Sequence, residues 1–347
     1  MPSARRAGPG PGRHAPAPVV LHSAPLVLPM CVDPLRDGAV ATKGAHVLGV
    51  GPRAELRSAY ASAEEVRWPG MIVAGLVDAC SSSRAPAPGV TARASLVCDP
   101  ADCLGLPGIG YVRVNSAGEE EWEEGERDAV ITAIREVERP HAVGIAALTG
   151  DFQVLEDVAV LSRTFGLRLL ADLDRHSTAA LDEAGVLGPL CHVACARPLD
   201  PGERKLLRLR GTAVALCPPG PDPGGDTLAL LEEGNTVAFG SHGLAWDPCR
   251  EGGAGPLDLA AAVRRHVRGR GQRPRGLDRR LVEAVTMGGA AALGMDRGKG
   301  RVGSLCRGAR ADFAVYDARG RYPYAALLAQ PPCVGRVIGG VITRTAA

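Results

Sequence analysis

Short apolar runs broken by proline and glycine open the chain. Residues 18–30 (PVVLHSAPLVLPM) read as strand, turn, strand, and residues 45–51 (AHVLGVG) as a strand ending at glycine. A short helix is expected over 53–63, a turn at Trp68-Pro69-Gly70 and a buried strand over 71–77 (MIVAGLV). The pattern changes after residue 110. Residues 119–138 are strongly charged, and Trp122, Val130, Ile131, Ile134 and Val137 approximate one helical stripe. Strands are then expected at 142–148, 167–171, 190–196, 213–217 and 236–239. Helices at 154–164, 201–208 and 227–233 separate them, the first closed by Gly166 as a C-cap. Strand character returns at 311–316 and 334–342, the latter with a Gly-Gly turn signal.

Strands alternating with helices indicate parallel βαβ units, and near-continuous apolar strands agree, because parallel strands are covered on both faces. A (β/α)8 barrel and a doubly wound sheet compete. No glycine-rich phosphate fingerprint follows an early strand, which weighs against the dinucleotide-binding form of the second.

Composition narrows this further. The chain has 347 residues, long enough for one large or two modest domains. It is 46% hydrophobic but only 3% aromatic, so small aliphatic side chains must build the core. Its richness in Arg, Ala, Gly and Pro suggests a GC-rich bacterial source. A net charge of +2 argues against a globally basic nucleic-acid binder. One basic run, residues 264–280, has no interleaved aromatics and reads as a solvated loop between two helices. No apolar segment reaches the roughly 20 residues of a membrane helix, and the first residues lack the apolar core of a signal peptide. The expectation is a cytoplasmic protein with its ten cysteines reduced, a disordered tail over 1–16, no nucleic-acid or membrane partner, and room for homo-oligomerisation.

Three stretches carry a family resemblance. Residues 69–83 (PGMIVAGLVDACSSS) resemble the segment ending barrel strand one in the amidohydrolase superfamily, in its cytosine-deaminase, chlorohydrolase and imidazolonepropionase branch. Residues 281–317 resemble that family's closing helix followed by its G-S-L-x-x-G-x-x-A-D motif, and GAHVLGVGPRAEL resembles its N-terminal β segment. Within the branch, aminodeoxyfutalosine-deaminase and imidazolonepropionase-like proteins are the nearest in pattern. The resemblance spans residues 18–345 and implies an α/β fold: a distorted (β/α)8 TIM barrel over 73–304, and a small composite β-sandwich from 17–72 and 305–347. Barrel strands two and three are not placed by it. The implied activity is hydrolysis of a carbon–nitrogen bond, such as deamination of a small cyclic nitrogen compound. Such enzymes work through divalent metal at the barrel mouth, where bound water becomes hydroxide near neutral pH.

The family's ligand positions are substituted. The strand-one His-x-His falls on Cys80 and Ser82. The strand-five His-x-x-Glu falls on Ala171 and Asp174, or with a shift of one residue begins at Asp172. The strand-six histidine falls on Cys195, with His192 three residues earlier and pointing differently, and the strand-eight aspartate on His242. The resemblance therefore implies a degenerate site with no resident cofactor. Two alternatives stay open: zinc in a rebuilt site of Cys80, Cys195 and His242, and a cysteine nucleophile activated by His242. For function, an impaired C–N hydrolase stands beside a non-catalytic paralogue whose barrel mouth binds a small molecule or a protein.

Overall fold

The computed structural model describes residues 17–81, 86–97, 108–136, 143–217, 225–241 and 254–344. Strands β1 (Val19–Leu28), β2 (Leu35–Lys43), β3 (His46–Pro52), β4 (Glu64–Arg67) and β5 (Met71–Ala74) form most of one mixed sheet. Strands β6 (Leu76–Ser81), β7 (Val90–Val97), β8 (Gly108–Val114), β9 (Val143–Ala147), β10 (Arg168–Asp172), β11 (Cys191–Cys195), β12 (Ala213–Leu216) and β13 (Val237–Phe239) follow. Each pairs in parallel with the next, giving the eight staves of a nearly closed barrel. The chain then returns to the first sheet through β14 (Phe313–Tyr316), β15 (Cys333–Ile338) and β16 (Val341–Arg344). That sheet runs β16-β15-β14-β5-β1-β2-β3, so the two ends of the chain meet at β5.

Several elements depart from the expected ones, each for a local reason. Residues 18–30 make one strand rather than two, because Pro25 sits inside β1 at a position where it forms no ladder pair with β2. Residues 71–77 divide into β5 and β6, one in each sheet. Gly75 is the switch: its N–H donates to Asp312 O at 3.0 Å, and a Cβ there would lie 1.9 Å from Thr91 Oγ1. Barrel strands two and three are β7 and β8. The basic run is not simply a loop. Its first part completes the helix Pro256–Gly269, where Arg264 and Arg268 both grip Asp278 at 2.8 Å. The expected helix over 119–138 is seen through residue 136, with a π-turn at Trp122–Glu126.

Two apolar layers build the barrel. The outer face of the staves (Val112, Ile145, Leu169, Val193, Val214, Phe239) packs on helical Leu155, Val158, Leu181, Leu207 and Leu230. Alanines dominate the lumen: Ala92, Ala94, Ala146, Ala194, Ala213, Ala215 and Ala238. That is where the scarcity of aromatics is felt, and it leaves space for a few large polar groups to cross the lumen. Helix capping is regular. Asp151 caps Phe152–Phe165 and Gly166 ends it in the left-handed region, while Asp200 and Glu203 form a capping box on Pro201–Arg210. Among the described residues no helix is long and apolar enough to cross a membrane.

Candidate functional site at the barrel mouth

Strand alternation decides which side chains reach the lumen. On β10 the register puts Leu170 opposite His192 and Asp172 opposite Ala194, whereas Ala171 and Cys195 belong to the outer layer with Leu169, Cys191 and Val193. His192 and Cys195 thus point to opposite sides, as their odd spacing demands.

His192 is wholly buried and spans the lumen. Its Nε2 lies 2.9 Å from Ala79 O on β6, and Tyr111 Oη lies 3.4 Å from its Nδ1. A carbonyl can only accept, so Nε2 carries the proton and the tyrosine hydroxyl donates to Nδ1. Burial, aided by the positive charge of Arg168, holds His192 down at about 3, so it is neutral. Below this chain Arg168 donates from Nη2 and Nε to Ala292 O, at 2.7 and 3.1 Å, and fixes the end of the closing helix under the barrel.

Asp78 joins the first stave to the last. Its Oδ1 accepts from Ser241 N at 2.9 Å and Cys80 N at 3.3 Å, and its Oδ2 accepts from Ser241 Oγ at 2.6 Å. Among the described residues no backbone ladder joins β13 to β6, so this carboxylate supplies the seam. Burial raises Asp78 to about 6 despite those three donors.

Beside the seam lie Cys80 and Cys217, neighbours across Gly240 and both buried, with the Cys217 thiol donating to Ala215 O at 3.6 Å. The Cys80 neighbour and burial push Cys217 well above the usual thiol range. A Cβ on Gly240 would fall 2.7 Å from Cys80 Cβ and 2.9 Å from Cys217 Sγ. Gly240→Ala should therefore cost on the order of 1–3 kcal/mol by overpacking, read as a lower urea midpoint. An unchanged midpoint would show that the pair has slack.

The other sequence-predicted residues are held in structural contacts. Cys195 donates its thiol to Arg197 O at 3.1 Å, and burial lifts it to about 12. Asp174 accepts from Ala196 N at 3.2 and 3.3 Å, bracing the exit of β11. Asp172 lies on the luminal register, 3.6 Å from Arg175, and burial raises its carboxyl. If Asp172 takes the ligand place of His-x-x-Glu, Arg175 stands where the carboxylate belongs. Ser82 and His242 lie outside the described residues, as do Cys98, Cys103, His141 and the 1–16 tail.

At the mouth the luminal positions therefore read Cys80, Leu96, Arg113, Leu148, Asp172, Ala194, Cys217 and Gly240. A hydrolytic zinc centre needs imidazoles and carboxylates converging from several staves. The described residues do not fit one: no three His, Cys, Asp or Glu among them are grouped to hold a metal. The proximity of Cys217 to Cys80 and the seam role of Asp78 were not read from the sequence. Alternation alone could have found Cys217, which shares the parity of luminal Ala213 and Ala215.

The architecture is that of a nearly closed (β/α)8 barrel with a separate mixed sheet from the chain ends. Solved structures of the same fold include deaminases and a chlorohydrolase. A zinc-bound adenosine deaminase from Xanthomonas campestris matches with TM-score 0.69 and 16% identity, over 94% of this chain and 93% of that one. Atrazine chlorohydrolase TrzN from Arthrobacter aurescens TC1, complexed with zinc, matches at 0.71 and 16%, over 93% and 94%. Guanine deaminase of E. coli matches at 0.73 and 12%, over 95% and 100%. At these identities the likeness is one of fold. No family model matches the sequence, and no curated protein matches it.

Proposed function

We propose that the chain is an amidohydrolase-like protein of C–N hydrolase descent whose hydrolysis by metal-activated water is lost or severely impaired. The observation that carries this is the luminal layer at the mouth, where Leu96, Leu148, Ala194 and Gly240 occupy four staves and two buried cysteines are neighbours. The Cys217 thiol, raised by its Cys80 neighbour and by burial, neither activates water nor shuttles a proton at neutral pH. Asp172 and Arg175 keep charge at the rim, which favours a retained small-molecule binding role over an empty relic.

Protein purified without added metal should carry well below one zinc per chain. It should release no ammonia from adenosine or guanine, and no chloride from atrazine, above a heat-treated control. Stoichiometric zinc together with chelator-sensitive turnover of any of these would overturn the proposal.

A further inference from the structure

A second cysteine pair lies away from the barrel mouth. Cys31 is exposed on the loop leaving β1, and Cys306 is half-buried on the segment between the closing helix and β14. Backbone geometry brings these distant parts of the chain together. Leu305 N donates to Pro29 O at 2.9 Å, and Met30, a non-glycine residue at φ 66°, turns the chain sharply just before Cys31. Such a conformation is costly for an unbranched side chain and persists only where neighbouring contacts hold it. The two thiols are neighbours close enough to influence each other's protonation. Cys306 Sγ also lies 3.5 Å from Ser304 Oγ and is reached by the Arg301 guanidinium.

We propose that Cys31 and Cys306 are a peroxide-responsive dithiol that closes to a disulfide and fastens the exit of β1 to the segment entering β14. The roles of the two sulfurs differ. Burial raises Cys306, but its contacts with Cys31, Ser304 and Arg301 and the arginine's charge outweigh it, so this thiol is lowered overall. Partial desolvation of its sulfur and the Cys306 contact raise Cys31. Cys306 is therefore the attacking thiolate and Cys31 the resolving thiol. In the first step the thiolate takes one oxygen from hydrogen peroxide, and with one proton gives a sulfenic acid and water. Cys31, losing its proton, then attacks the sulfenic sulfur and expels a second water. Two thiols lose two protons and two electrons, and one peroxide accepts them. The mouth thiols are in a different setting: Cys80 and Cys217 are both buried, and burial together with the neighbouring thiol raises Cys217.

The test uses the full chain, reduced and then exposed to stoichiometric hydrogen peroxide. Intact mass should fall by two hydrogens, and a non-reducing digest should yield one cross-linked peptide pair containing Cys31 and Cys306, reversed by dithiothreitol. In Cys31→Ser, dimedone should trap a sulfenic acid on Cys306; in Cys306→Ser it should trap none on Cys31. Oxidation should raise the thermal midpoint by several degrees, since the closed loop spans most of the chain. Three results would each overturn the proposal: both cysteines recovered unmodified, a cross-link to any other cysteine first, or a disulfide between two chains. The wild-type digest decides the matter even if a variant folds poorly.

Discussion

Asp78→Ala should lower the stability of the chain by about 3 kcal/mol, whereas Asp78→Asn should stay within about 1 kcal/mol of the wild type near pH 8. Alanine strands three donors in a buried place: Ser241 N–H, Cys80 N–H and the Ser241 hydroxyl. Each buried donor left without an acceptor costs roughly 1–3 kcal/mol, partly offset because no carboxylate has to be desolvated. Asparagine keeps a carbonyl oxygen for the two backbone donors, and the serine hydroxyl can turn to accept from its amide. The two variants also differ from the wild type in pH dependence. Asp78 binds its proton more tightly folded than unfolded, so its presence lowers stability progressively as pH rises from 3.8 to about 6. Across that window the effect is worth roughly 3 kcal/mol and is constant above it. Urea midpoints from pH 4 to 8 check both points. Equal losses for alanine and asparagine would remove Asp78 from its role as the seam.

Acid should destabilise the folded chain through His192, and His192→Gln should remove much of that loss. The imidazole is neutral inside the barrel and titrates near 6.5 once exposed, so the unfolded chain binds the extra proton. Stability from this site is complete above pH 6.5 and is lost as pH falls towards about 3, a total on the order of 5 kcal/mol. His22, buried beside Trp68 and Phe313 and held at about 4 by desolvation, adds to the same slope. Asp78 opposes it. Glutamine offers a donor for Ala79 O and an acceptor for Tyr111, so the variant should be weaker than the wild type by about 1–2 kcal/mol at pH 8. That gap should close or reverse near pH 5. Parallel curves for variant and wild type would mean that His192 does not titrate on unfolding.

The elements legible in the sequence were those whose pattern is local. Short near-continuous apolar runs located β9 to β13, and the glycine after Phe165 marked a helix end that the structure keeps. The barrel with its composite sheet followed from the family pattern in residues 69–83 and 281–317. What escaped was decided by contacts between distant segments. Nothing in MIVAGLV says that Gly75 carries the chain from one sheet to the other; the reason lies in Thr91 and Asp312. Asp78 was visible as part of the LVDA motif, yet its work depends on Ser241, at the far end of the barrel strands. The basic run illustrates the opposite error. Arg264 and Arg268 look unsatisfied in sequence because their counter-ion, Asp278, stands on the next helix. For the candidate ligands, spacing separated Cys195 from His192 correctly, but only register could show that His192 is the one crossing the lumen.

The sheet in which both ends of the chain meet has a consequence for the order of assembly on the ribosome. Every barrel stave precedes β14, so the staves can close while β5 still has one side without its partner. Until β14 is translated and docks, Met71–Ala74 presents an open, wholly apolar strand edge, the kind of edge that recruits foreign strands. The nascent chain is most vulnerable to aggregation in that interval, and a stalled or prematurely ended product would keep the exposed edge permanently.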